Sequence, residues 1–285
     1  MKWDVVAMNI MNELQDYVEG NKLQSLVLGI SGGIDSALCA ALARPVCERL
    51  DIPLIGHSLP IHSKMDEVRR AEKVGRTFCT EFEEVLLFTV FEEFIEENHK
   101  GKDETDLEYR IRMGNIKARL RMIHLFDLAQ KRKGMVLSTD NYTELQLGFS
   151  TLHGDVGNYG LIQYLWKTEI YDFSAYLVKQ FSIGKKEKEM DIMKSCIDAV
   201  PTDGNGVTNS DLDQLGVDSY KEVDSVLQEW FIEGPFEKQS AIYNHPVIQR
   251  HLKTQFKRDD PVNIKRVVLL KGAIQAFIWQ GDGSH

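Results

Sequence analysis

Cysteine is scarce in this sequence. Its four residues, Cys39, Cys47, Cys79 and Cys196, show no C-x-x-C spacing, which argues against both a zinc site and a disulfide framework. Long apolar runs are missing too. A membrane helix needs roughly 18 consecutive apolar residues, and the longest run here, Ala37 to Ala43, stops at Arg44. The opening Met-Lys-Trp-Asp lacks the apolar stretch of a secretory signal. Cations are in the minority, 34 Lys and Arg against 43 Asp and Glu, for a formal net charge of -9. Nucleic-acid and membrane-surface binders lean on the opposite excess, so neither partner is expected. What remains is 285 residues, 43% of them hydrophobic, enough for one domain over 1–285 with a sizeable core. A soluble, cytoplasmic setting is expected.

Apolar positions Val5, Val6, Met8, Ile10, Met11, Leu14 and Val18 recur at a helical period over 3–19. Leu23 to Ile30 suits a buried parallel strand. A Gly-rich turn follows, then an Ala/Leu-rich helix from Ala37 to about Leu50. A second apolar run covers Ile52 to Leu59, with a helix from about Met65 to Phe78. This alternation predicts a doubly wound parallel α/β sheet with helices on both faces. Residues 81–109 are acidic with scattered aromatics and read as a solvated helix followed by a polar loop, Asn98 to Thr105. From Arg110 an amphipathic helix carries Arg110, Arg112, Lys117, Arg119 and Arg121 on its polar side. That side is either a solvated face or an anion site.

The turn after the first strand is Ser31-Gly32-Gly33-Ile34-Asp35-Ser36. It is not a Walker loop, and the spacing of Gly29, Gly32 and Gly33 fails the dinucleotide fingerprint G-x-G-x-x-G. Glycines let successive N–H groups converge on an anion, and the helix N-terminus adds partial positive charge. Ser31 and Ser36 can donate to phosphate oxygens. Asp35 would repel a bare phosphate, so its presence implies a bridging cation, Mg²⁺ being the natural choice. On local chemistry alone a second reading stays open, in which Ser31 caps the helix and the glycines only make a tight turn.

Ser-Gly-Gly-x-Asp-Ser after a first strand resembles the pyrophosphate loop of the ATP pyrophosphatases, which cleave ATP to AMP and pyrophosphate. Asn115-Ile116-Lys117-Ala118-Arg119-Leu120-Arg121-Met122 narrows the resemblance to bacterial NAD synthetases and their Asn-x-Lys-Ala-Arg-x-Arg-Met helix. A strand over Gly134 to Leu137 then leads into Ser138-Thr139-Asp140-Asn141 and Glu144, similar to that family's Gly-Thr-Asp/Gly-Asn segment. The resemblance continues through Gly148-Phe149-Ser150-Thr151-Leu152-His153-Gly154-Asp155, Lys167-Thr168-Glu169-Ile170 and Val200-Pro201-Thr202. It ends with Leu215 to Tyr220, Val223-Asp224 and Phe256-Lys257-Arg258, so that it spans about Leu28 to Arg266.

The family resemblance implies a Rossmann-like fold of the adenine-nucleotide α-hydrolase type. It implies ATP contacts at Gly29, Ser31, Gly32, Gly33, Asp35, Ser36, Thr139, Lys167 and Thr202. It also implies Mg²⁺ on Asp35 and Glu144, and catalytic roles for Asp35, Glu144 and Lys167. An alternative for Glu144 is a solvated first-turn residue. Substrate contacts fall on Arg119, Leu152, Asn158 and Lys257. Leu152 stands where family members carry Lys, and Phe256 replaces His. The segment before Lys167 is one residue short, which puts the family's substrate Asp near Asn158 or Tyr159. The Gly/Asn/Asp/Ser-rich stretch 203–213 reads as a flexible lid or a plain surface loop, and 281–285 as a frayed tail. The implied reaction is ATP-dependent amidation of deamido-NAD through an adenylated nicotinate. Free ammonia is the expected donor, because the pyrophosphate loop begins at Ser31 and leaves no room for a preceding glutaminase domain. A homodimer is implied as well. Two alternatives accompany this reading: amidation of nicotinate mononucleotide, and a catalytically silent nucleotide-binding regulator.

Overall fold

The structure, a computed structural model, describes residues 1–96, 101, 103–201, 211–234 and 236–259. The chain opens with α1 (Trp3–Gly20), whose Ala7, Leu14 and Val18 are buried. β1 (Leu26–Gly29), α2 (Ile34–Leu50), β2 (Leu54–Ser58), α3 (Met65–Phe78) and β3 (Glu81–Glu84) follow. Next come α4 (Phe88–Glu96), α5 (Asp106–Lys131), β4 (Met135–Ser138), α6 (Tyr142–Leu147) and β5 (Tyr159–Gly160). The remaining elements among the described residues are helices: α7 (Lys167–Ile183), α8 (Glu187–Ile197), α9 (Asp211–Leu215), α10 (Tyr220–Glu233), α11 (Pro246–Lys253) and α12 (Gln255–Arg258).

The five strands form a parallel sheet in the order β3-β2-β1-β4-β5. Leu26 sets the central register, opposite Leu54 on one side and Met135 on the other. Strand residues alternate between faces, as a pleated strand requires. Leu26, Leu28, Leu54, Met135 and Leu137 join the larger core with α1, α2, α3, α7 and α8. Val27, Ile55 and Val136 point the other way, onto Met122, Leu125 and Ala129 of α5. Both faces of the central strands are therefore buried, which explains why β1 and β2 read as continuous apolar runs.

The acidic segment departs from the expected solvated helix. Glu81–Glu84 is a strand, paired with β2 at the sheet edge through Ile55↔Glu81 and Ser58↔Glu84. Charged residues on an edge strand discourage pairing with another chain, and the helix starts only at Phe88. The basic helix is present as α5, and Thr105 and Glu108 close its N-terminus with a reciprocal capping box.

A smaller core of Leu147, Leu215, Tyr220, Val223, Leu227, Val247 and Ile248 joins α6 to α9, α10 and α11. Basic side chains of α11 and α12 finish the C-terminal end of α6: Arg250 donates to Leu147 O at 3.0 Å and Arg258 to Gln146 O at 2.7 Å. Of the expected lid 203–213, residues 211–213 open α9; 203–210, Thr202 and the tail 281–285 lie outside the described residues. Among the described residues, no helix is long and apolar enough to cross a membrane.

Candidate active site

The strand order reverses between β1 and β4, so the connections leaving their C-terminal ends diverge. A crevice opens there, the usual ligand position in such sheets. The turn after β1 forms one wall. Gly32 has φ +80, and a Cβ on it would lie 2.7 Å from Ala71 N and 2.8 Å from Glu67 O, so α3 packs directly onto its backbone. Arg70 reinforces that contact by donating to Gly32 O at 2.6 Å. Gly33 is the N-cap of α2, and no side chain caps that helix. Ser31 is therefore not a helix cap. It is exposed, accepts the Gly33 N–H at 3.2 Å and lies 3.1 Å from the Ser36 hydroxyl. The α2 N-terminus thus faces the crevice framed by two hydroxyls.

Three chain segments meet beside that turn. Asp35 comes from the first turn of α2, Glu144 from the first turn of α6, and Lys167 is the first residue of α7. The Lys167 ammonium donates to Asp35 Oδ2 at 2.6 Å and to Glu144 Oε1 at 2.9 Å. Asn141 connects the two acids: its Oδ1 accepts the Glu144 N–H at 3.0 Å and its Nδ2 donates to Asp35 Oδ1 at 2.9 Å. Only 3% of Lys167 is exposed. Burial opposes its charge, but the facing Asp35 and Glu144 carboxylates outweigh that and hold its pKa well above the ordinary lysine value. Burial raises the Glu144 carboxyl, against the pull of Lys167. Asp140, whose Oδ2 accepts the Ser138 hydroxyl at 2.7 Å, is pushed up to about 6, again chiefly by burial.

The cluster borders a cavity of about 300 Å³ lined by Gly29, Ser31, Thr139 and Glu144 at its polar end and by Val68, Met122 and Leu125 on its apolar walls. Asp155 and Arg121 also line it. Burial first, and Asp140 second, push the Asp155 carboxyl up to about 7. His57 forms part of the lining, with Nδ1 2.8 Å from His124 Nε2, and burial lowers the pKa of both rings. Asn141, Asp140 and Asp155 were all visible in the matched segments. Only their convergence in space sets them apart.

The expected substrate residues divide into two groups. Arg119 donates to Leu152 O at 3.2 Å, and Lys257 donates to Gly148 O at 2.7 Å and Ser150 O at 2.5 Å, so these side chains gather on the 148–155 loop. Asn158 lies elsewhere, exchanging hydrogen bonds with Val136 of β4 through its N–H at 2.7 Å and its side-chain oxygen at 3.1 Å. The basic helix does not present one cationic face. Arg112 pairs with Glu104, Lys117 lies 5.5 Å from the Phe91 ring, and Arg121 donates to Leu59 O.

Among the described residues, no group of three or more His, Cys, Asp and Glu side chains is arranged to hold a metal alone. Asp35 and Glu144 instead present two carboxylates to one cationic position, which Lys167 now fills. That donor set suits a hard divalent ion completing its shell with phosphate and water oxygens.

Comparison with known proteins identifies the family and the fold. The NAD synthase family model matches residues 6–261. An NH(3)-dependent NAD(+) synthetase of Thermoplasma acidophilum is 30% identical over 250 residues, covering 85% of this chain and 91% of that relative. Among solved structures, an NMN synthetase from Francisella tularensis superposes with a TM-score of 0.72 at 25% identity, over 90% of this chain and 96% of the other. An NH3-dependent NAD synthetase from Campylobacter jejuni gives 0.68 at 23% identity, over 93% and 100%, and shares the fold.

Proposed function

The chain belongs to the NAD synthase family, and from that premise we propose that it amidates the nicotinate carboxylate of deamido-NAD with ammonia, releasing AMP and pyrophosphate. The family consists of ligases that form a C–N bond with ATP as co-substrate. The observation that carries the reading is the Asp35–Lys167–Glu144 cluster beside the Ser31–Ser36 turn.

A carboxylate is a poor electrophile, and adenylation gives it a good leaving group. In the first step a nicotinate oxygen bonds to the α-phosphorus of ATP, and the bond to pyrophosphate breaks. In the second, ammonia bonds to the acyl carbon, AMP departs with the electron pair, and one proton is released. The departing pyrophosphate needs its charge offset. Ser31, Ser36 and the amides of Gly32 and Gly33 supply hydrogen-bond donors, and Lys167 supplies a point charge. Asp35 and Glu144 would hold Mg²⁺, which adds further charge neutralisation when bound. Gly29 and Thr139, at the polar end of the cavity, would contact ATP, and Thr202 is assigned an ATP contact from the family resemblance alone. Arg119 and Lys257 attract the anionic nicotinate nucleotide. Asp155, with its carboxyl near pH 7, can bind ammonium and take its proton.

Incubation with ATP, Mg²⁺, ammonium and deamido-NAD should yield NAD and AMP in equal amounts; no NAD would reject the dinucleotide reading, and no amide from nicotinate mononucleotide either would reject the ligase chemistry. A second reading, nicotinate mononucleotide as substrate, is favoured by two altered substrate positions. Leu152 offers no cation, and the Asn158 side-chain oxygen accepts the Val136 N–H. The likeness to the Francisella NMN synthetase is compatible with it. The ratio of kcat/KM for the two nicotinates decides, and a preference for the dinucleotide rejects the smaller substrate.

The assembly is proposed to be a homodimer. Exposed Phe88, Val90 and Phe94 of α4 and Leu107 and Ile111 of α5 are suitable apolar surface for it. Light scattering reports the mass directly.

A further inference from the structure

The motif Leu215–Asp224 ends in a carboxylate that the proposed reaction leaves unused. Asp224 sits on α10 and is 2% exposed. Its Oδ1 accepts the Thr143 hydroxyl at 2.6 Å, and its Oδ2 accepts the Thr168 N–H at 2.8 Å. The Thr143 oxygen in turn accepts the Lys167 N–H at 2.8 Å. Thr143 is the second residue of α6 and Thr168 the second of α7. One carboxylate therefore clamps the first turns of two helices at once. The residues next to its partners, Glu144 and Lys167, are those that meet at the cation position. One turn earlier on α10, the Tyr220 ring lies 5.5 Å from the Lys167 ammonium.

Burying a carboxylate is unfavourable unless its oxygens are satisfied. Packing does not call for a charge here, because the surrounding α6–α10 core is held by Leu147, Val223 and Leu227. The acid does suit two converging helix N-termini, whose free N–H groups and partial positive charge favour it. We infer that Asp224, acting through Thr143, is a positioning residue that sets the spacing of Lys167 and Glu144 relative to Asp35. The inference rests on the ligase reading above. It assigns α10 a task in the reaction although Asp224 touches no reacting atom.

The test uses the full chain with Asp224→Asn, Thr143→Val, Thr143→Ser and the double variant Asp224→Asn/Thr143→Val. Steady-state kinetics are recorded per folded molecule, with each melting temperature. Asp224→Asn and Thr143→Val should each lower kcat by about 30-fold or more while the nicotinate KM moves by less than about threefold. Thr143→Ser, which keeps the hydroxyl, should stay within about threefold of the natural protein. The double variant should be no slower than the slower single one, because both changes break the same chain of hydrogen bonds. A lower melting temperature with kcat per folded molecule preserved, a rise in nicotinate KM alone, or losses that multiply would each overturn the inference. If Asp224→Asn fails to fold, Thr143→Val and Thr143→Ser decide in the same way. If the natural protein amidates neither nicotinate, the ligase reading falls and crystal structures of the same variants decide. A Lys167 ammonium displaced from Asp35 and Glu144 supports the positioning role, and an unmoved one overturns it.

Discussion

The Lys167 ammonium lies 2.6 Å from a carboxylate oxygen of Asp35, 132 positions away in the chain. This bond joins the start of α7 to the start of α2 and sets the ammonium between the two acids proposed to hold Mg²⁺. Lysine suits such a post because its flexible stem can turn to a new anion, such as a phosphate, when one arrives.

Lys167→Met should expose that arrangement. Removing one partner of a buried ion pair costs about 3–5 kcal/mol, and urea unfolding at neutral pH should show a loss of that order. Without the ammonium, the two carboxylates face each other and should bind Mn²⁺ more tightly in the absence of nucleotide, as read by spin resonance. Weaker nucleotide-free binding would show that Asp35 and Glu144 are not a cation site.

Asp35→Asn removes half of the proposed Mg²⁺ ligand set while keeping the shape and the Asn141 neighbour. AMP release should fall by about a thousandfold, with circular dichroism unchanged. Turnover at the natural rate would disprove the assignment of Asp35.

Gly32→Ala and Gly33→Ala form a matched pair. At Gly32 the backbone is left-handed and the new methyl meets backbone atoms of α3 at 2.7 and 2.8 Å, so a loss of about 2–4 kcal/mol is expected. At Gly33 the methyl meets only the Ser31 hydroxyl oxygen, at 3.3 Å, and the loss should be about 1 kcal/mol or less. Equal losses in urea would show that α3 does not press on the turn.

Asp155→Asn should change stability in a pH-dependent way. The carboxyl is raised to about 7 in the folded protein, chiefly by burial, against about 3.9 in an unfolded chain. Below about pH 4 both states hold the proton and the group contributes nothing. Between about pH 4 and 7 the unfolded chain ionises first, so stability falls as pH rises, and it stays lower above that range. Asparagine keeps an acceptor for the Thr151 N–H, bonded at 2.8 Å to Oδ1. The variant should therefore melt higher than the natural protein at pH 8 and match it near pH 4. The opposite order would contradict the raised carboxyl.

Lys257→Ala should raise the nicotinate KM by about tenfold with little effect on the KM for ATP. Its ammonium holds the Gly148 and Ser150 carbonyls, so the loss combines a missing cation with a looser 148–155 loop. An effect confined to ATP would move the substrate site elsewhere.

The doubly wound sheet was readable because β1 and β2 are continuous apolar runs between helical repeats, a pattern dictated by burial on both faces. The acidic edge strand was not, since Glu81, Glu83 and Glu84 carry little strand preference and pair only because β2 offers a free edge. Asp35, Glu144 and Lys167 could be named from their spacing within matched segments. Their contact could not, nor could the pairing of Asn158 with Val136 on β4.

Local pattern settled the α/β architecture and the glycine turn after β1, and motif resemblance pointed to the family, because turns, helix periods and short motifs are properties of neighbouring residues. Which groups share one electric field was decided only by the tertiary structure. Lys167 between two acids, Asp155 raised at the cavity wall and Asp224 beneath two helix ends come together by chain reversal. Their protonation and strength depend on burial and on partners up to 132 positions distant.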